Sequence, residues 1–419
     1  MTIKEICSII DERQDELFTL LSDLVKINSE NFQSYGNEAE CAEFVKKVCE
    51  EKGFETELYS PLAVENFENH PDYFPGRNLE NRPNVTAKWK GEKDEDYLMF
   101  MAHTDTVRIG DPANWTVDPL GGEIRDGKIW GRGVSDDKYG IATAIFVMSL
   151  LKENGIVPKK NVLLSAYSDE EYGGSHGALA ASLRYPAERI VNLDCKDFEL
   201  WQCASGGGEV KYKFHTEKPV DTAYLTGRGL AVVMDVLEKF GANRKAELEA
   251  NRFYKGTIIP ETSFRYMGLK AGDGGADLGR GEAYFVFYTD KTKEEIWEEF
   301  HELEKEISEK LAPLGIIGDG FVPNTRFFHY TFIEADDSSI IDMQKAALQA
   351  TGRELTPCAS CLSDLSVIQK YGSPSAYGFG IGRGFREYGG SHQPDEFMPC
   401  DRLLEYAKIV AAYVVNTLC

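Results

Sequence analysis

No long apolar run, no basic tract and no second cysteine pair occur in this chain of 419 residues, and each absence removes a class of function. Nothing approaches the roughly 20 consecutive apolar residues that a membrane span needs. Lysine and arginine total 46 against 69 acidic residues, a net charge of −23, and the basic residues are scattered. A surface of that sign repels nucleic acid and anionic membranes, so neither is expected as a partner. The nine cysteines are odd in number, and Cys358 and Cys361, spaced like a zinc or redox pair, have no second pair to complete a site. They read as reduced thiols of a cytoplasmic protein. The start, Met1-Thr2-Ile3-Lys4-Glu5, lacks the basic segment and apolar core of an export signal.

What is present suits two packed domains: the length exceeds one ordinary core, and 42% of residues are apolar. Ile3, Ile6, Ile10, Leu17, Leu21, Leu24 and Ile27 have helical spacing, which predicts one surface helix over 3–27. A second helix is expected over 38–52, then a long surface loop from Pro61 to Pro83. Strands over 84–89, 97–102, 162–167 and 189–194 alternate with helices over 141–151 and 175–183, which predicts an α/β layered domain. After Ser205-Gly206-Gly207-Gly208 the pattern changes. Val210, Tyr212 and Phe214 alternate with Lys211, Lys213 and His215, so one strand face is wet. A helix near 222–240, strands near 263–270 and 283–289, a helix over 292–311 and a strand over 326–333 follow. That β-α-β-β-α-β order predicts a ferredoxin-like insertion over 208–333. The first domain, 1–207, would resume at 334–419 with helices over 340–350, 363–371 and 402–418 and a strand over 375–379.

Chemistry gathers where apolar runs end. His103-Thr104-Asp105 follows one run, Ser168-Asp169-Glu170-Glu171 another, and Asp136 lies in Gly131-Arg132-Gly133-Val134-Ser135-Asp136-Asp137-Lys138. Open α/β sheets carry their chemistry just beyond strand carboxyl ends. Imidazole and carboxylate donors suit zinc, with one position left for water. His103, Asp136, Glu171 and Asp194 supply donors, and His392, in Gly389-Gly390-Ser391-His392-Gln393-Pro394-Asp395-Glu396, offers the second imidazole. Asp105 stands where it can accept the second N–H of His103 and fix its tautomer. Glu170, beside a ligand, is available as the general base for an attacking water. Arg383 and Arg386 could grip a substrate carboxylate. His176 begins or caps a helix, and His70, His301 and His329 have no supporting context.

His103-Thr104-Asp105-Thr106-Val107, Trp115 with Asp118-Pro119-Leu120, Asp126 to Lys138, and Asp169-Glu170-Glu171 with Gly173-Gly174 resemble the aminoacylase/glutamate-carboxypeptidase family of di-zinc hydrolases. That family includes acetylornithine deacetylase, succinyl-diaminopimelate desuccinylase and carnosinase-type dipeptidases. The resemblance implies a zinc-peptidase-like α/β/α catalytic domain with the ferredoxin-like insertion as a lid. It implies that Asp136 bridges two metals and has a cis peptide to Asp137. It implies that His103 and Asp194 complete one metal and Glu171 and His392 the other, while Glu170 shuttles the proton. Zinc is the expected metal, and cobalt or manganese also suit these donors.

The lid departs from the family. The turn Ala271 to Asp277 has no Asn, Thr289-Asp290 stand where an Arg would be, and His215 is the one imidazole near the first lid strand. Gly380-Ile381-Gly382-Arg383-Gly384 offers a backbone cradle for the polar end of a substrate. The expected activity is cleavage of an amide bond in a small carboxylate-bearing substrate, a dipeptide or short peptide. An N-acyl-amino-acid deacylase and a catalytically retired metal-binding or oligomerisation module are the alternatives. A homodimer through the lid is compatible with its strand edges.

Overall fold

The computed structural model describes residues 1–217, 222–272 and 278–419, so Asp273 to Asp277 of the glycine-rich turn lie outside the described residues. The chain divides into two compact units. One comprises Met1–Gln202, Phe332–Ser360 and Val367–Cys419; the other comprises Cys203–Thr331 and Cys361–Ser366.

The first unit is built on a nine-stranded sheet. Its order is Glu55–Tyr59, Asn84–Trp89, Lys160–Tyr167, Lys93–His103, Arg189–Asn192, Ala376–Phe379, Leu200–Ala204 and Thr331–Phe332, with Pro357–Ala359 pairing off the path onto Leu200–Ala204. Lys93–His103 runs parallel to both of its neighbours, and its buried half, Leu98 to Ala102, is an unbroken apolar run because both faces are covered there. Leu98, Phe100 and Ala102 face a core shared with the helices Gln14–Val25, Lys138–Glu153 and Cys400–Leu418. Met99 and Met101 face the opposite layer, against Ala178 and Ala181 of the helix His176–Arg184 and against Ile368. Lys138–Glu153 is apolar all round and buries 14 of its 16 residues, as a helix enclosed on every side must.

The second unit holds a four-stranded antiparallel sheet in the order Phe264–Ala271, Arg280–Thr289, Gly206–Thr216 and Ile316–Pro323. The helices Thr222–Ala250 and Lys293–Leu311 cover one face, packing Val236 and Phe300 against Tyr212, Phe214, Phe285 and Phe287. In sequence the elements run β-α-β-β-α-β, the ferredoxin-like order.

Several local expectations differ from what forms. The first helix is two, Ile3–Glu12 and Gln14–Val25, broken at Arg13, whose φ of −107° and ψ of 16° leave the helical region. The break is silent in the pattern, because the seven-residue gap from Ile10 to Leu17 keeps the apolar phase. The last strand of the second unit is Ile316–Pro323, not 326–333; glycines at 318 and 320 flank a bulge and dilute its alternation. The segment 61–83 is more than a surface loop, since Phe67, Leu79 and Arg82 are buried. The helix over 363–371 is one turn, Leu365–Val367, followed by a wider turn over Ile368–Gly372.

Candidate metal centre

Register sets the centre. His103 lies opposite Tyr167 on one side, and Met101 opposite Asn192 on the other. Three parallel strands therefore end at one level and release His103, Asp169 to Glu171, and Asp194 side by side. The helix Lys138–Glu153 brings Asp136 and Asp137 there at its own start. Gly140 permits that approach: a Cβ would lie 2.7 Å from Asp137 Oδ1, 2.9 Å from Leu193 Cβ and 3.2 Å from Ala102 Cβ. The peptide between Asp136 and Asp137 is cis.

The loop carrying His392 is tied to the loop carrying Asp136 by a buried ion pair. Arg132 Nη1 stands 2.5 Å from Glu396 Oε2, and Arg132 Nη2 donates to the carbonyl of His392 at 3.4 Å. The other Glu396 oxygen accepts the N–H of Ser135 at 2.8 Å. Neither Arg132 nor Glu396 stood out as functional in the sequence; their signal was membership of the two glycine-rich stretches they join.

Five donors converge. His103 Nε2 is 3.1 Å from Asp136 Oδ1, and His392 Nε2 is 3.2 Å from Asp136 Oδ2 and 2.9 Å from Glu171 Oε2. Two overlapping groups, His103 with Asp136 and Glu171, and His103 with Asp137 and Asp194, each bring donor atoms within 4.8 Å of one another. Asp136 thus faces both imidazoles. Asp137, not among the donors expected from the sequence, is buried beside His103 and Asp194. Burial and the charge of Asp194 push its carboxyl well above the usual range.

Asp105 meets His103 through its backbone. His103 Nδ1 donates to the backbone carbonyl of Asp105 at 2.9 Å, while the carboxylate stands 3.7 Å away. The carboxylate instead accepts the backbone N–H of Glu170 at 3.0 and 3.1 Å and of Glu171 at 3.0 Å. Of the residues proposed for substrate, Gly382 donates its N–H to Cys195 O at 2.8 Å. Arg383 holds the carbonyls of Tyr388 and Gly389 at 3.1 and 2.7 Å, bracing the loop before His392. Arg386 is exposed. His215 belongs to the second unit, where its Nδ1 meets Asp319 at 2.8 Å.

The donor set fits divalent cations. A carbonyl can only accept, so His103 Nδ1 carries the proton, and a neutral ring then aims its Nε2 lone pair at Asp136. His392 Nε2 is buried beside two carboxylates without hydrogen-bond geometry to either. Lone pairs against anions repel unless positive charge sits between them. The same demand appears in the protonation equilibria. Burial works against the charged form of His103, yet Asp136, Glu170 and Asp194 raise its pKa well above the ordinary value. His392 is raised likewise against burial, by Glu171 and Asp136.

Parallel strand ends that gather imidazoles around a shared carboxylate make a candidate metal centre. Comparison with known proteins agrees. The family described as peptidase family M20/M25/M40 matches residues 99–416. The chain belongs to that family. It is 37% identical over 165 residues to an uncharacterized metallohydrolase of Methanocaldococcus jannaschii, covering 39% of this chain and 38% of that one. It is 41% identical over 98 residues to succinyl-diaminopimelate desuccinylase 2 of Ruegeria sp., covering 23% of this chain and 25% of that one. The matches thus span well under half the length of these curated relatives. A solved dipeptidase of Saccharomyces cerevisiae shares the fold over 99% of this chain and 98% of its own, with a TM-score of 0.73 at 15% identity.

Proposed function

We propose that the protein is a two-metal amidohydrolase that cleaves one amide bond in a small carboxylate-bearing substrate, a dipeptide or short peptide. The observation that carries this reading is Asp136, whose two oxygens face two imidazole nitrogens at 3.1 and 3.2 Å. His103 and Asp194 would hold one ion, Glu171 and His392 the other, with Asp136 shared; zinc suits these donors best. Bound divalent ions supply Lewis acidity and a water acidic enough to attack at neutral pH. The chain's own residues do the rest. The Asp105 carbonyl fixes the His103 tautomer, and the Asp105 carboxylate seats the Glu170 backbone. Glu170 takes a proton from the attacking water and hands it to the departing amine. The free cysteines fit a cytoplasmic home.

N-acyl-amino-acid deacylation is the second reading, favoured by the 41% identity to the desuccinylase over 98 residues. A panel of dipeptides and of N-acetyl and N-succinyl amino acids, with amine release read by mass spectrometry, separates the two. Glu170→Gln should lower kcat by about a hundredfold to ten-thousandfold while metal content and fold persist. Hydrolysis undiminished in that variant would remove Glu170 as the base. Silence of the wild type across the panel, with metals bound, would favour a retired module.

A further inference from the structure

We propose that Asn31 is a positioning residue for Glu170, joining the two carboxylates on which the Glu170–Glu171 backbone depends; this rests on reading Glu170 as the general base. Asp105 is one support, through the three N–H contacts already described. Asp169 is the other. It directly precedes Glu170 and adopts a φ of +65°, a left-handed conformation that its side chain must hold in place. Arg82 Nη1 lies 2.8 Å from Asp169 Oδ1, Arg77 Nη1 3.2 Å from the same oxygen, and His176 Nδ1 2.6 Å from Oδ2. Arg82 is itself anchored on Glu38 at 2.5 and 2.8 Å. The loop then closes tightly over the acid: a Cβ on Gly174 would fall 2.0 Å from Asp169 Oδ2.

Two carboxylates in one buried place repel, and Asn31 stands between them. Its Nδ2 donates to Asp105 Oδ2 at 2.8 Å and to Asp169 Oδ1 at 3.4 Å, and its Oδ1 accepts the N–H of Gln33 at 2.8 Å. The amide cannot flip, because its carbonyl would then face both acids. Its backbone N–H donates to Thr106 O at 2.8 Å, which fixes the residue to the strand end beyond His103. Among the described residues Asn31 bonds none of the five metal donors, so its influence on the reaction runs through the Glu170 backbone. General-base catalysis is sensitive to such placement, since a shift of about 1 Å at a reacting group costs about a hundredfold.

Asn31→Ala should lower kcat by about tenfold to a hundredfold with KM held within about twofold, and with wild-type metal content. The amide hydrogens of Glu170 and Glu171 should lose protection in hydrogen exchange. Asn31→Ser, which keeps one donor, should recover part of both, and it carries the same two readouts if the Ala variant does not fold. A lowered melting temperature with unchanged kcat and unchanged exchange at those two amides would make Asn31 merely structural and overturn the proposal. The exchange measurement needs no substrate. Faster exchange at Glu170 in a protein that hydrolyses nothing would support the cradle while counting against the assignment of the base.

Discussion

Metal uptake by this centre should displace about two protons near neutral pH, one from each imidazole. The neighbouring carboxylates raise His103 and His392 well above their ordinary pKa. In the metal-free protein that elevation contributes stability which is full below about pH 6.5 and is lost as pH rises through the raised values. Cations need both rings neutral, so binding runs against the protons. Each displaced proton makes the dissociation constant fall about tenfold per pH unit, and two make it about a hundredfold, or ~2.7 kcal/mol. That dependence holds below the raised folded-state values and ends once both imidazoles have titrated. Titration calorimetry in two buffers of different protonation enthalpy counts the protons directly. Thermal melts across the same pH range should show the metal-loaded protein gaining on the metal-free one. Heats that do not depend on the buffer near pH 6.5 would mean that neither imidazole is charged beforehand, and the repulsion argument for the donor set would fail.

Two further expectations concern packing. Gly140→Ala places a methyl group 2.7 Å from Asp137 Oδ1 and 2.9 Å from Leu193 Cβ, which should destabilise the fold by about 1–3 kcal/mol. Urea denaturation measures it, and undiminished stability would show that the helix start is free to retreat. In the second unit Arg244, 1% exposed, meets Glu299 at 2.8 Å and Glu247 at 3.1 Å. Arg244→Ala leaves Glu299 and Glu247 to Lys291, 2.5 and 3.8 Å away, and should cost about 1–3 kcal/mol; undiminished stability in the same assay would refute that.

The strand ends were legible because a fully buried parallel strand has a blunt signature: apolar residues on both faces, then an abrupt polar turn. His103, Glu171 and Asp194 stand at those turns, and the structure gathers them. His392 was legible for a different reason, a histidine inside a glycine-rich loop. The residues beneath the centre carried no such mark. Asn31, Glu38 and Arg82 lie far apart in sequence, and each looks like an ordinary polar residue until folding buries it. Arg82 in particular sat in a stretch whose Pro and Asn content signals a loop, and composition cannot show that a loop turns inward. Which atom of Asp105 meets His103 was not legible, for a finer reason. Spacing placed the residue correctly beside His103, but whether its carbonyl or its carboxylate meets the ring depends on backbone direction, which spacing does not encode.

The shared level of the strand ends also says how copies of this chain can diverge. Side chains alternate faces along a strand, so deleting one residue between Arg189 and Asn192 would pull Asp194 back one step and turn it to the other side. Exchanging Ile190 for Val at the same place removes one methylene and typically costs 0.5–1.5 kcal/mol. Divergence should therefore proceed in the strands by replacement at constant length. Gain and loss of residues should collect in connections such as the exposed 110–114, where no donor is counted from a strand end.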